Sequence, residues 1–318
     1  MILTVTLNPA LDLTWHVDRL VEGGTHRADA GAARAGGKGL NVARVAHAER
    51  AEVLAITTAG GRVGDEFAEE LGASGVPHAL IPVVAETRRS IAIVDEARGD
   101  TTIVNERGAN PDDAEWAALF AEVVDRLPTA GVLVISGSVP PGAPDALLPM
   151  LIAVGRDADI PVLVDTSGPA LLRAADAGAA VLKPNAAELA DATGIADPVE
   201  GARSLIGRGA ELVLLSLGAD GMLAVTASAL VHARLAEPLA GNPTGAGDAA
   251  VAACAVQYAA GVRDPEQILR RATAWSAAAV LMPLAGDISP RWTELEQNLL
   301  VSHPDPASYG SASRKDPS

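Results

Sequence analysis

The sequence predicts an α/β fold, a doubly wound and mainly parallel sheet flanked by helices, with a small β-layer beside it. Three observations carry that expectation. Short, continuously apolar runs recur along the chain, helix-periodic segments lie between them, and two stretches break the rhythm with strand-like alternation. The apolar runs are "ILTVTL" (residues 2–7), "VLAIT" (53–57), "GVLVIS" (131–136), "PVLVD" (161–165), "AVLKP" (180–184) and "LVLLSLG" (212–218). A strand apolar on both sides is buried on both faces, as in a parallel sheet. Helical patterns occupy residues 40–50, 65–73, 112–126, 146–155, 186–193 and 198–207. Such strand–helix–strand units connect by right-handed crossovers.

The two exceptions are "LDLTWHVDRL" (11–20) and "RRSIAIVDEARGDTTIVNE" (88–106), the second turning at Arg98-Gly99-Asp100. They are expected to form a small β-sheet lid, its segments spanning about residues 11–35 and 86–107 of a domain covering 1–303. The Pro/Ser/Gly-rich end, residues 304–318, is expected to be disordered. There is no internal repeat and no linker to a second domain.

Composition narrows the function classes. Hydrophobic residues make up 49% of the 318 and aromatics 3%, so Ala, Val, Leu and Ile must build the core. No apolar run approaches the roughly 20 residues of a membrane span. The opening "MILTVTLNP" has neither the basic segment nor the cleavage site of a secretory signal. The single cysteine, Cys254, lies in an apolar helical run and reads as a buried thiol. No disulfide can form within the chain, which fits a reducing cytoplasm. A net charge of −16 argues against a nucleic-acid partner. It also requires any site for anionic substrates to concentrate positive charge locally.

Ligand sites in open α/β sheets lie at the carboxyl ends of strands, so the glycine-rich segments matter most. "GGKGLN" (36–41) is not a Walker loop, because Ala32 and Gly39 stand where Gly and Ser/Thr are needed. Val42 likewise replaces the third Gly of a dinucleotide fingerprint. The six histidines form no metal-spaced pair, and "SGSVP" (136–140) is not a nucleophile elbow.

"NPTGAGDAAVAACA" (242–255) is more informative. Glycines ahead of a helix let backbone N–H groups converge on an anion, aided by the positive end of the helix dipole. Asp248 in the first turn would face the same point, where an acid can deprotonate a hydroxyl attacking a phosphoryl group. The competing explanation is plain helix-terminus preference, with Asp248 favouring the dipole and the glycines turning the chain.

Six segments together resolve more than any one. "LNPALD" (7–12), "GGKGLNVAR" (36–44), "SGSVPPG" (136–142), "KPNAAEL" (183–189), "SLGADG" (216–221) and "PTGAGD" (243–248) occur in an order that resembles the ribokinase-like (PfkB) sugar kinases. Within that family the pattern looks most like the 1-phosphofructokinase and tagatose-6-phosphate kinase branch, across roughly residues 1–300. The resemblance implies a ribokinase-like fold and an ATP- and Mg²⁺-dependent kinase acting on a ketohexose phosphate, fructose 1-phosphate foremost. Tagatose 6-phosphate and fructose 6-phosphate are the close alternatives, and a non-catalytic sugar-phosphate sensor is the alternative of another class.

The resemblance also implies roles. Asp248 would be the general base, with the Gly245, Ala246 and Gly247 amides stabilising the transferring phosphoryl group. Asn185 and Glu188 would organise Mg²⁺, often through water, although the same pair could simply cap the helix that starts near Ala186. Lys183, Ser216, Gly218 and Gly221 would serve the nucleotide. Asp12, Gly37, Asn41 and Ser138 would hold the sugar, and Arg27, Lys38 and Arg88 would supply cations for its phosphate. Ala249 departs from the Ser usual in this branch, which puts the identity of the sugar in doubt. The expected partners are the sugar phosphate, ATP and a second copy of the chain docked through the lid. Only three of the 24 basic residues are lysine, and two of these, Lys38 and Lys183, fall inside the motifs.

Overall fold

The computed structural model describes residues 1–304; the end expected to be disordered, beyond 304, lies outside the described residues. Seven parallel strands make up most of a ten-stranded sheet: β1 (Ile2–Thr6), β4 (Val53–Ala59), β5 (His78–Pro82), β8 (Val132–Ser136), β9 (Val162–Asp165), β10 (Val181–Leu182) and β11 (Leu212–Ser216). Their spatial order runs β11-β10-β9-β8-β1-β4-β5. Three antiparallel strands extend one edge, β12 (Met222–Val225), β13 (Leu230–Arg234) and β14 (Leu300–Ser302).

The strands are buried on both faces because their side chains alternate between two cores. Ile2, Val132, Val134, Leu212 and Leu214 point to one; Leu3, Val5, Leu133, Ile135, Val213 and Leu215 point to the other. The first core is closed by α1 (Lys38–Ala48), α2 (Gly61–Ser74), α8 (Ala246–Ala259) and α9 (Pro265–Val280). The second is closed by α3 (Asp113–Arg126), α4 (Leu147–Asp157), α5 (Pro169–Asp176), α6 (Ala186–Thr193) and α7 (Pro198–Arg208). A short α10 (Trp292–Gln297) covers α9.

The small sheet contains β2 (Ala10–Val17), β3 (Ala32–Gly36), β6 (Arg88–Asp95) and β7 (Asp100–Asn105), ordered β3-β2-β6-β7. Its hairpin β6–β7 is antiparallel, as the alternation and the Arg98–Asp100 turn imply, whereas β2 and β6 pair in parallel. That parallel pairing joins residues about 80 apart, which local alternation cannot reveal.

All six apolar runs are strands, and all six helical patterns are helices with ends shifted by a few residues. Strands β3, β5, β12, β13 and β14 and helices α5, α9 and α10 lie outside those patterns. Strands β12 to β14 sit at an antiparallel edge, where one turn of sheet carries no crossover helix to announce it. Helix α8 is the exception to amphipathic design. Ala249, Ala250, Ala252, Ala253 and Ala255 are all fully buried, because small side chains let it sit between the sheet, α1 and α9.

Phe67, fully buried on α2, tests whether this face supports the whole fold. Phe67→Ala should cost roughly 3–5 kcal/mol, seen as a lower urea midpoint with unchanged slope.

Candidate active site

The carboxyl ends of β1, β8, β9, β10 and β11 open onto a cavity of about 1000 Å³, roofed on one side by the small sheet. Each strand end delivers polar groups there: Asn8, Ser138, Thr166, Lys183 and Ser216 among them. The loop before α8 supplies Gly245, Ala246, Gly247 and Asp248.

Asp248 sits in the first turn of α8 and is 5% exposed. Its Oδ2 accepts a hydrogen bond from Asn41 Nδ2 at 2.8 Å. Burial raises its pKa to about 7, helped by the nearby Asp165 charge and opposed by Lys38, the Asn41 bond and Lys183. No side chain caps this helix. In its first turn the Ala246 amide donates to Pro243 O at 3.2 Å. Gly245 caps the helix at φ +85°, where a Cβ would press on Ala285 Cα at 2.8 Å, so only glycine fits.

Asp165, at the end of β9, was not singled out by any motif, yet it organises the site. It is fully buried, with Lys183 Nζ 3.4 Å from Oδ1, Lys38 Nζ 3.3 Å from Oδ2 and Ser136 Oγ donating to Oδ2 at 3.3 Å. Burial works to raise its pKa, but Lys183 and Lys38 outweigh it and hold the carboxyl below the usual carboxylate range. Asp165 in turn raises the pKa of Lys38, against the effect of burial. The visible signal was an acid ending a buried strand, where α/β sheets place their ligands.

Asn185 and Glu188 form a complete capping box on α6: Asn185 Oδ1 accepts from the Glu188 amide at 2.8 Å, and Glu188 Oε2 accepts from the Asn185 amide at 2.9 Å. The other carboxylate oxygen, Oε1, is free of the cap and lies 3.8 Å from Lys38 Nζ. Capping and facing the cavity are therefore compatible. Among the described residues no group of three or more His, Cys, Asp or Glu could hold a metal ion. One free carboxylate oxygen suits Mg²⁺ held mainly by water and substrate phosphates, which is how that ion usually binds.

At the other end, a Cβ on Gly36 would overlap the Asp12 carboxylate, so the bare β3–α1 junction lets Asp12 fold over it. Asp12 has its pKa raised to about 6 by burial, partly offset by Arg88 and a Ser90 hydrogen bond. Arg88 donates from Nε and Nη2 to Asn8 O at 3.3 and 3.2 Å, and from Nη1 to Glu106 O at 3.2 Å. Gly37, Lys38, Asn41, Ser138, Gly218 and Gly221 also line the cavity. Arg27 does not: it is exposed in the segment between β2 and β3. Arg34, Asp287 and Arg107 belong to the surroundings of the site and were also missed, lying outside every motif.

A family model described as pfkB family carbohydrate kinase matches residues 5–292. The chain belongs to this family. It is 33% identical over 297 residues to a 1-phosphofructokinase of Xanthomonas campestris, covering 91% of this chain and 93% of the relative. It is 32% identical over 322 residues to an ATP-dependent 6-phosphofructokinase isozyme 2 of Mycobacterium tuberculosis, covering 95% and 94%. Phosphofructokinase-2 from Escherichia coli in complex with potassium superposes with a TM-score of 0.86 at 30% identity, over 93% of this chain and 98% of that one. The ribokinase-like fold expected of a carbohydrate kinase is thus present, with its mainly parallel sheet and small second sheet.

Asp248 has a consequence for stability. Its folded pKa, about 7, exceeds the ordinary 3.8, so ionisation opposes folding and the protein loses stability as pH rises through that window. Asp248→Asn should gain Tm relative to the unsubstituted chain, with the gain growing from pH 4 to pH 7 and then levelling. A gain independent of pH would contradict the buried-acid assignment.

Proposed function

We propose that this carbohydrate kinase transfers the γ-phosphoryl group of ATP to a ketohexose phosphate, foremost fructose 1-phosphate, giving the 1,6-bisphosphate. The observation that carries the reading is Asp248: a buried carboxylate with its pKa near 7, set beside an uncapped helix N-terminus. A base poised near neutrality takes a proton from a hydroxyl without holding it too tightly. The adjoining Gly245 and Gly247 amides, with the dipole of α8, receive charge that develops on the transferring group.

In this reading Lys183 serves the nucleotide phosphates from one side, and Ser216, Gly218 and Gly221 border the nucleotide. The apolar side chains Met222, Leu235, Leu239 and Val280 line that end of the cavity and suit a planar base. Glu188 would hold Mg²⁺ through its free oxygen, with Asn185 fixing Glu188 through the cap. Mg²⁺ bound there would neutralise phosphate charge. Asp12 and Asn41 hold sugar hydroxyls, Asn41 also aiming Asp248, and the small sheet acts as the lid of a single domain. A second copy docking on the lid is supported by strand β7, all of whose residues are exposed and where Val104 leaves an apolar side chain uncovered. A cytoplasmic setting fits the buried, unpaired Cys254, and among the described residues no helix is long and apolar enough to cross a membrane.

A second reading, phosphorylation of fructose 6-phosphate, is favoured by the M. tuberculosis relative, which matches nearly as well as the 1-phosphofructokinase. An ADP-release assay over fructose 1-phosphate, fructose 6-phosphate, tagatose 6-phosphate and free hexoses separates the two; fructose 1-phosphate should give the highest kcat/KM. Turnover on none of them, with ligand binding retained, would favour a sensor.

Asp248→Asn should lower kcat by about 10²–10⁴-fold while ATP binding persists. Activity falling only in step with Tm would assign Asp248 to the helix end alone. Lys183 Nζ lies 3.4 Å from Asp165 and 3.2 Å from where a Cβ on Gly247 would stand. That slot admits an ammonium and not a planar fork. Lys183→Arg should therefore raise the KM for ATP as much as Lys183→Ala does, by at least about tenfold; near-normal kinetics in the arginine variant would refute the steric argument.

A further inference from the structure

Four cationic side chains line the cavity: Lys38, Arg88, Arg107 and Lys183. Three of them are engaged by the fold. Lys38 and Lys183 both face the buried Asp165 carboxylate, and the Arg88 guanidinium donates to the carbonyls of Asn8 and Glu106. Arg107 is different. Its guanidinium makes no hydrogen bond or ion pair with any described residue, although its backbone is held firmly.

The anchoring comes from Asn8 at the end of β1. Asn8 Nδ2 donates to Arg107 O at 3.2 Å and to Ser138 Oγ at 3.0 Å, while Asn8 O receives the Arg88 fork. Gly108 follows at φ +86°, and a Cβ there would overlap Asn8 Oδ1 and stand 3.2 Å from Arg88 Cδ. The segment 106–108 is thus laid directly on Asn8 and Arg88. No ion pair joins Arg107 to the neighbouring Glu106, whose carboxylate accepts the Arg89 amide at 2.7 Å. In a chain of net charge −16, this leaves an unpaired guanidinium on a residue that lines the cavity and whose backbone is tied to Asn8, the residue that also holds Ser138 and Arg88.

We propose that Arg107 is a binding residue for the phosphate ester already present on the sugar, taking its oxygens through the guanidinium fork at the mouth of the cavity. This rests on the sugar-phosphate kinase reading above and extends it to a residue outside every motif. A guanidinium offers five donors in a plane and matches a phosphate bidentately. Arg88, with Nε and both Nη atoms donating to carbonyls, fixes the lid strand to β1, and Arg107 adds an uncommitted guanidinium to the same cavity lining.

The test compares the unsubstituted enzyme with Arg107→Ala, Arg107→Lys and Arg98→Ala, the last removing an equal charge from the β6–β7 turn of the same sheet. Steady-state kinetics are measured for fructose 1-phosphate, fructose 6-phosphate and ATP. Arg107→Ala should raise the KM of the preferred sugar phosphate about 10–100-fold, leaving kcat and the KM for ATP within about twofold. Arg107→Lys should recover part of the loss, and Arg98→Ala should match the unsubstituted enzyme. Equal sugar-phosphate KM values in Arg107→Ala and Arg98→Ala would overturn the proposal while leaving the kinase reading intact. If the unsubstituted protein turns over neither sugar phosphate, the kinase reading itself has failed. Calorimetric binding of inorganic phosphate to the ADP-saturated protein then decides for Arg107: weaker binding in Arg107→Ala supports it, and unchanged binding removes it.

Discussion

One buried carboxylate governs the electrostatics of the cavity. Asp165 lies at the centre of the sheet's carboxyl edge, out of contact with water, with an ammonium on each side. An isolated ionised carboxylate there would be strongly disfavoured. The two lysines make it tolerable, and it in turn keeps two cations clustered in a chain whose overall field is negative. Removing Asp165 would leave the buried Lys183 ammonium uncompensated, which is far more damaging than loss of a surface ion pair. The arrangement also reaches Asp248, whose pKa rises partly because Asp165 stays charged nearby.

Asp248 shows the opposite solution to the same constraint. It has a hydrogen bond from Asn41 but no directly paired cation, so burial pushes its pKa up. Two acids a short distance apart are thereby separated in acidity, one held ionised by lysines and one poised near neutrality. Such divergence marks catalytic pairs in general. It carries a stability cost near neutral pH, which the alanine-rich α8 offsets by packing tightly between the sheet, α1 and α9.

The small sheet is connected to this centre by specific bonds rather than by bulk contact. Arg34 on β3 donates from Nη1 to Ala285 O at 2.8 Å and forms a two-pronged pair with Asp287. Ala285 is the residue against which Gly245 packs, so the sheet's edge braces the loop that shapes the α8 N-terminus. On the opposite side, Arg88 and Asn8 tie β6 to β1.

Local pattern was enough for much of this. Apolar runs marked the parallel strands because burial on both faces leaves no polar position, and "TGAGD" marked a helix start with a glycine at its cap and Asp248 in its first turn. The capping pair Asn185 and Glu188 was legible from its spacing, as was the family from six ordered motifs. Other features depend on residues far apart in the chain. Asp165 acquires its meaning only where β9 meets Lys38 from α1 and Lys183 beyond β10. The parallel β2–β6 pairing, the Arg34–Asp287 pair and the unpartnered Arg107 are likewise products of assembly. Sequence determines periodicity, turn chemistry and motif spacing, because these act over a few residues. Which charges become neighbours, and which remain unpaired, is decided only when the chain closes on itself, because electrostatic energy depends on distance and burial rather than on order along the chain.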